Sequence, residues 1–372
     1  MKVLIINLDK SIFFPGSKSL ERLKEYAGFC GKLSVIVLTR RIFEPIIIDN
    51  LSVYATGSCC RLKYLFDALS LAKKVMEKER YDLVMTQDPF DTGHIGWLVK
   101  KKYEIPWQCQ IHTDFLSPYF WRESLSNKFR VLLAKFLLPQ ANGIRVVSQR
   151  IKNSLKAKNY KLKTEPIVLP IFADLKKVIT SSVEDNLRIK YPQFNPLILM
   201  ASRLSKEKNI DLAIRAMAEI VKQYPKTGLI IVGDGPEKIS LQLTVKKHQL
   251  QSGVVFEPWH KDLSSYYRSA DLFLLTSNYE GWGMTVIEAA NFYLPVIMTD
   301  VGCAGEIIKN EESGIIIKVG DEKALTEAII RLAREDNFRK KLGEEAKKAI
   351  ASLPDREQNL DLYKKSFNSL VQ

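Results

Sequence analysis

Short apolar runs alternate with amphipathic segments along most of the chain. "KVLIIN" (2–7) precedes "SLERLKEYAGF" (19–29), whose apolar residues recur at helical spacing, and "LSVIVLT" (33–39) follows. "LFDALSLAKKVMEKER" (65–80) reads as a helix, then come "DLVMTQ", a helix near 93–102, and "WQCQIH" (107–112). From Leu197 the rhythm resumes with "LILMASRL", a helix over 209–224, "GLIIVGDG", a helix over 236–250 and "VVFEP". A helix over 262–269, "DLFLLTS" (271–277), a helix over 285–293 and "PVIMTD" complete it. Runs that are apolar at every position suit strands buried on both faces. Their alternation with helices predicts an α/β fold of parallel sheets covered on each side.

The polar stretch 171–195, "IFADLKKVITSSVEDNLRIKYPQFN", interrupts this rhythm and reads as a linker between two Rossmann-like, doubly wound domains. The expected division is 1–175, 176–355 and a final amphipathic helix within 356–372 that packs back on the first domain. Two such sheets facing each other leave a cleft lined by the carboxyl ends of their strands.

Composition narrows the class. The chain has 372 residues, 46% hydrophobic and 26% charged, which is the balance of a folded globular protein. The opening "MKVLIINLDK" is too short an apolar run for a signal peptide, and no stretch approaches the roughly 18 apolar residues that span a bilayer. The five cysteines are odd in number and include no CxxC pair, so neither a disulfide framework nor a zinc site is expected and the cytoplasm is the expected compartment. Charge changes the picture more. Residues 1–170 hold 28 Lys/Arg against 15 Asp/Glu, whereas 171–372 hold 28 against 27. An excess confined to one half points to an anionic partner for that half, although a basic surface with no partner gives the same count.

Four segments carry candidate chemistry, each at a predicted strand end. "EGWGMTVIEAA" (280–290) places Glu280 and Glu288 on either side of a glycine turn that opens into a helix. There the amides of Gly283, Met284 and Thr285 suit an anion. Thr285 to Glu288 is equally the spacing of a capping box, in which Glu288 merely folds back on the Thr285 amide. "SRLSKEKN" (202–209) offers Arg203 and Lys208 as a planar fork and a point charge for a diphosphate, or as two solvated cations. "IVGDGPE" (231–237) is a tight strand-to-helix turn with Pro236 suited to a first helical turn. "QIHTDF" (110–115) sets His112 and Asp114 after a strand, where a histidine handles protons or hydrogen bonds, though a lone histidine is commonly structural. Neither glycine turn completes a dinucleotide fingerprint, and there is no phosphate-binding G-x-x-x-x-G-K-[ST].

Taken together, these segments resemble glycosyltransferase family 4. "EGWGMTVIEAA" has the E-x7-E motif of its retaining members, inside the longer run "SADLFLLTSNYEGWGMTVIEAANFYLPVIMTDVGCAGEII". "SRLSKEKNI" and "VGDGPE" fall at the family's spacing upstream. "IHTDFLSPYF" is the clearest match in the first half. The resemblance implies the GT-B fold and a nucleotide-diphosphate sugar donor, UDP- or GDP-linked. It implies that Arg203 and Lys208 neutralise the diphosphate, that the Gly283, Met284 and Thr285 amides hold it, and that Gly16 approaches from the first domain. Glu288 would take the ribose hydroxyls, Glu280 the transferred sugar, His112 the sugar near its anomeric carbon, and Trp259 or a neighbour the base. No divalent metal, no other cofactor and no protein nucleophile are implied. Three departures stand out: paired glycines reduced to Gly16, Tyr293 where glycine often ends the helix, and Cys303 for the second glycine of "VGG".

The basic first half fits an anionic or lipid-linked acceptor, such as a cell-surface glycan intermediate, and peripheral attachment to the inner face of an anionic membrane. In "YFWRESLSNKFRVLLAKFLL", Trp121, Leu125, Phe129, Leu132 and Phe136 recur at helical spacing with Lys128, Arg130 and Lys135 alongside. The same spacing describes an ordinary core face, and that is the reading it favours. The alternative function is a non-catalytic, two-domain sugar- or nucleotide-binding protein. Nucleic acid is not an expected partner, because no aromatic–basic recognition module is present.

Overall fold

A computed structural model describes residues 1–175, 186–260 and 262–371. It divides into two compact units, Met1–Pro170 together with Pro354–Gln372, and Ile171–Leu353.

The first unit is built on eight strands: β1 (Lys2–Asn7), β2 (Lys32–Val37), β3 (Ile46–Ile48), β4 (Leu51–Ala55), β5 (Leu83–Thr86), β6 (Trp107–Ile111), β7 (Gly143–Val146) and β8 (Ile167–Val168). Their order is β3-β4-β2-β1-β5-β6-β7-β8. All neighbours are parallel except the β3–β4 hairpin. Val3 pairs with Leu33 on one side and Leu83 on the other, so β1 lies inside the sheet and loses water from both faces. That double burial is why the strand is apolar at consecutive positions. Leu20, Leu23 and Tyr26 of the helix Lys18–Gly28 cover one face of this sheet. The helix Arg356–Asn368, opened by a capping box of Asp355 and Gln358, drives Tyr363 and Phe367 into the same core. The Tyr363 ring lies 4.6 Å from that of Tyr26. Side chains of this size contribute about 1.5–3 kcal/mol each when buried, so the last helix is part of this unit's core.

The second unit holds β9 (Leu197–Ala201), β10 (Gly228–Val232), β11 (Val254–Glu257), β12 (Leu272–Leu275), β13 (Val296–Thr299) and β14 (Ile315–Ile317). Their order is β11-β10-β9-β12-β13-β14, all parallel. The chain winds outward from β9 through β10 to β11, then returns to the other side of β9 for β12. The helices on each side of such a pair diverge, and the loops leaving the carboxyl ends of β9 and β12 flank a crevice.

Two expectations are corrected. Part of the stretch read as a linker, 176–185, lies outside the described residues, and 186–195 is not a linker. Leu187 is buried, and Arg188 pairs at 2.5 Å with Asp271, whose other oxygen accepts from the Leu197 amide at the head of β9. The stripe after Pro118 is not a core face either. It falls on two helices, Pro118–Glu123 and Leu125–Leu137, broken at Ser124, which caps the second. Leu125 is 81% exposed, Phe129 67%, Leu132 57% and Phe136 56%. The buried side of that helix is Asn127, Ala134 and Leu137.

Candidate active site

The crevice between β9 and β12 gathers most of the candidate residues of the second unit. Lys208, at the end of the loop after β9, reaches the loop after β12. Its Nζ lies 2.5 Å from Glu280 Oε1, and both side chains are largely covered (20% and 13% exposed). Ser277 Oγ donates to the same oxygen at 2.8 Å. Arg203, 70% exposed, points its guanidinium at Glu207 Oε1 (2.7 Å), which also accepts from Ser205 Oγ at 2.6 Å. Burial pushes the Glu207 carboxyl up, but the Ser205 and Arg203 bonds outweigh it and hold the pKa below the usual value. Backbone bonds lock the two loops together. Thr276 Oγ1 donates to the carbonyls of Lys208 and Asn209, both at 3.0 Å, and the Asn278 amide donates to the Glu207 carbonyl at 2.7 Å. The cations and Glu280 therefore stand on one frame rather than on separate mobile loops.

Two glycines let the surrounding loops close up. At Gly233 (φ 151) a Cβ would lie 1.9 Å from the Ser202 carbonyl oxygen, so only glycine lets the turn after β10 nest under the loop after β9. The Leu204 amide donates to the Asp234 carbonyl at 2.9 Å across that contact. At Gly302 (φ 57) a Cβ would lie 2.5 Å from the Trp282 carbonyl oxygen, so the loop after β13 backs the glycine turn at 280–283. The neighbouring Cys303, where the family often has glycine, is buried and donates its amide to that same carbonyl at 2.9 Å.

The helix Met284–Asn291 starts at Gly283, which is left-handed (φ 94) and supplies no side-chain cap. The amides of Val286 and Ile287 bond back to the Gly283 carbonyl. Among the described residues those of Met284 and Thr285 have no acceptor, so two free donors and the positive end of the helix face outward. With Gly283 as the cap, Thr285 cannot be the cap of a box, and the capping-box reading of Glu288 fails. Glu288 Oε2 instead accepts from the Tyr267 hydroxyl at 3.0 Å. Burial and the adjoining carboxylate hold the Tyr267 phenol well above its usual pKa, so it remains a donor. Trp259 is exposed in the loop after β11, and among the described residues no bond or ring contact joins it to the Lys208–Glu280 pair.

In the first unit, His112 follows β6. Its Nε2 lies 3.2 Å from Gln110 Oε1, which also accepts from Arg145 Nη1 at 2.8 Å. An oxygen can only accept, so the ring proton sits on Nε2 and Nδ1 is left as an acceptor. Burial, with Arg145 and Arg22 nearby, pulls the His112 pKa well below its usual value, and the ring is neutral. Asp114 Oδ1 is buried without a partner among the described residues, and burial raises that carboxyl. Gly16 is exposed and left-handed (φ 69), with open space where a Cβ would be.

Sequence reasoning passed over Glu207, Ser277, Tyr267, Gln110 and Arg145. Glu207 had a signal, its i,i+4 spacing from Arg203. Ser277 had a weaker one, three residues before Glu280. Tyr267 and Arg145 have none, because their partners are set by packing.

Two family models match the chain: "Glycosyl transferases group 1" over residues 185–349 and "Glycosyltransferase Family 4" over 31–174. The chain is similar to the alpha-monoglucosyldiacylglycerol synthase of Streptococcus pneumoniae, 26% identical over 63% of this chain and 55% of that protein's length. It thus spans little more than half of that curated relative. Among solved structures, sucrose-phosphate synthase from Thermosynechococcus elongatus superposes with a TM-score of 0.83 at 21% identity, covering 99% of this chain and all of that one. Anabaena HepE in complex with UDP and glucose gives a TM-score of 0.77 at 20% identity, with complete coverage of both. The fold is GT-B. The chain belongs to glycosyltransferase family 4.

Proposed function

We propose that this protein is a retaining glycosyltransferase that moves a sugar from a nucleotide-diphosphate donor to a lipid-linked or cell-surface glycan acceptor, without a divalent metal. The observation that carries the reading is the frame at the β9–β12 crossover, where Arg203, Lys208, Glu280 and the free amides of Met284 and Thr285 converge. As the bond from the sugar C1 to the donor phosphate breaks, negative charge grows on the diphosphate. Fixed cations and helix-end amides stabilise that charge more than they stabilise the intact donor, which is the condition for lowering a barrier. Donor entry replaces the Lys208–Glu280 pair with Lys208–phosphate, freeing Glu280 to accept from sugar hydroxyls. Glu288, held by Tyr267, accepts from the ribose. The acceptor oxygen forms its bond to C1 on the leaving-group face, and a donor phosphate oxygen takes its proton, so no side chain serves as nucleophile. The roles of His112 and Gly16 rest on the family resemblance, and a neutral His112 with a free Nδ1 suits hydrogen bonding to a sugar hydroxyl. A lipid-linked acceptor also puts the enzyme at the inner face of a membrane. A solved relative of the fold holding UDP and glucose makes uridine sugars the first donors to test.

The test is a thermal-shift screen of UDP- and GDP-sugars in EDTA, followed by slow donor hydrolysis without acceptor. A stabilising donor that is also hydrolysed, with both effects lost in Arg203→Ala and Glu288→Ala, is the expected result. Binding that vanishes in EDTA overturns the metal-free mechanism. Binding without any hydrolysis favours a non-catalytic binding protein.

A further inference from the structure

The exposed side of the helix Leu125–Leu137 has a composition that water alone does not explain. Leu125, Phe129, Leu132 and Phe136 recur at i, i+4, i+7 and i+11, so they form one continuous stripe, and all four are more than half exposed. Lys128 and Lys135 fall along one edge of that stripe. Arg130, read from the sequence as a third flanking cation, turns away: it bonds Asn127 and lies 5.8 Å from the Phe90 ring.

The stripe does not end with its helix. Phe136 packs edge-on against Trp97 of the helix Asp91–Tyr103 at 5.5 Å, and Lys101 Nζ lies 4.6 Å from the Trp97 ring. Lys101 and Lys102 in turn rim a depression of about 330 Å³ floored by Leu69, Leu98, Val99 and Tyr103. Glu104 adjoins its lysine rim, but the chain that carries the stripe is positive throughout. From Ser124 to Thr164 the chain carries ten Lys/Arg and no Asp or Glu. The helix Asp91–Tyr103 ends in Lys100, Lys101 and Lys102.

An apolar stripe edged by lysines fits a layer that is greasy within and negative at its face. We propose that this surface, from Leu125 to Phe136 and on through Trp97 and Lys101, docks the protein on an anionic lipid bilayer. Phe129 and Leu132 enter the acyl boundary, while Lys128, Lys135 and Lys101 meet lipid phosphates. Trp97 suits the interface because an indole is apolar over its body and carries one N–H donor. The proposal extends the lipid-linked acceptor reading but does not depend on the donor site, and its test separates them.

The full-length protein is sedimented with phosphatidylglycerol–phosphatidylcholine vesicles and with pure phosphatidylcholine vesicles at low and high salt. Binding to the anionic vesicles, weakened by salt and absent with phosphatidylcholine, is the expected result. Phe129→Ser with Leu132→Ser lowers the partition coefficient about thirtyfold, and Lys128→Glu with Lys135→Glu by at least about thirtyfold. Phe129, Leu132 and Lys135 are exposed and Lys128 is half-buried at the stripe's edge, so circular dichroism and the donor-induced thermal shift stay at wild-type values. Wild-type protein left in the supernatant at low salt overturns the proposal. So do variants that sediment like wild type, or a dimer in solution that Phe129→Ser with Leu132→Ser turns into a monomer, which makes the stripe a self-association face. Tight binding of a single-stranded oligonucleotide lost with the lysines alone also overturns it. A donor site that fails while vesicle binding holds removes the transferase reading and leaves this one standing.

Discussion

The two units use one winding rule and opposite ways of handling charge. In each, the first strand lies inside the sheet and the chain reverses beside it, at β1–β5 in one and β9–β12 in the other. In the second unit, the cations at the reversal are neutralised on the spot, Lys208 by Glu280 and Arg203 by Glu207, and the whole unit holds 25 Lys/Arg against 24 Asp/Glu. The first unit holds 31 against 18, and ten of its cations fall between Ser124 and Thr164, the stretch that includes the exposed apolar helix. Of the twenty large exposed hydrophobics among the described residues, fifteen are in the first unit, so apolar and positive surface coincide there. The candidate site thus lies where charge is balanced and held in place, and the surplus of positive charge lies in the other unit.

Removing a cation from the balanced site is the sharpest way to test that contrast. Lys208→Ala is expected to lower kcat for sugar transfer by about 10²–10³, whereas Lys128→Ala leaves kcat on a water-soluble acceptor unchanged. Equal losses in both variants erase the distinction. The frame itself is broken by Gly233→Ala, whose Cβ has no room beside the Ser202 carbonyl. A loss of about 3 kcal/mol in urea unfolding of the second unit is expected, and wild-type stability shows that the two loops are not tightly nested.

A third test uses pH and addresses the first unit. Burial pushes the Asp88 carboxyl up to about 6, against hydrogen bonds from Thr92 and the Phe90 amide. Its folded pKa lies above its unfolded value, so the folded state holds this proton longer than the unfolded state does. Stability from this group is full near pH 4, falls as pH rises to about 6, and is flat beyond. Asp88→Asn is therefore expected to raise stability by about 2 kcal/mol at pH 7 and by nothing at pH 4. His112, whose folded pKa is depressed, acts in the other direction, costing stability as pH falls below its unfolded value. A stability difference between Asp88→Asn and wild type that ignores pH removes the assignment. The smallest effect belongs to the second unit's helix end. Tyr293 adopts φ 60, a left-handed conformation that disfavours side chains, so Tyr293→Gly is expected to gain about 1 kcal/mol in thermal unfolding. A loss there means that the Lys347 contact over the Tyr293 ring outweighs the backbone strain.

How far the site was legible depended on distance along the chain. Arg203, Lys208, Glu280 and Gly283 were readable because each lies in a short loop after an apolar run, and such runs can only be strands of a covered sheet. Glu288 was ambiguous, since four letters fit a capping box until the fold put the cap at Gly283. The ion pair of Lys208 with Glu280 spans 72 residues and was not readable at all. The chain alone set the winding of both sheets and the loops that carry chemistry, because strand burial and glycine turns are local demands. Only the tertiary structure decided which carboxylate meets which cation and that the Leu125–Phe136 stripe faces outward. Periodicity marks a helix as two-faced, but packing alone decides which face meets protein.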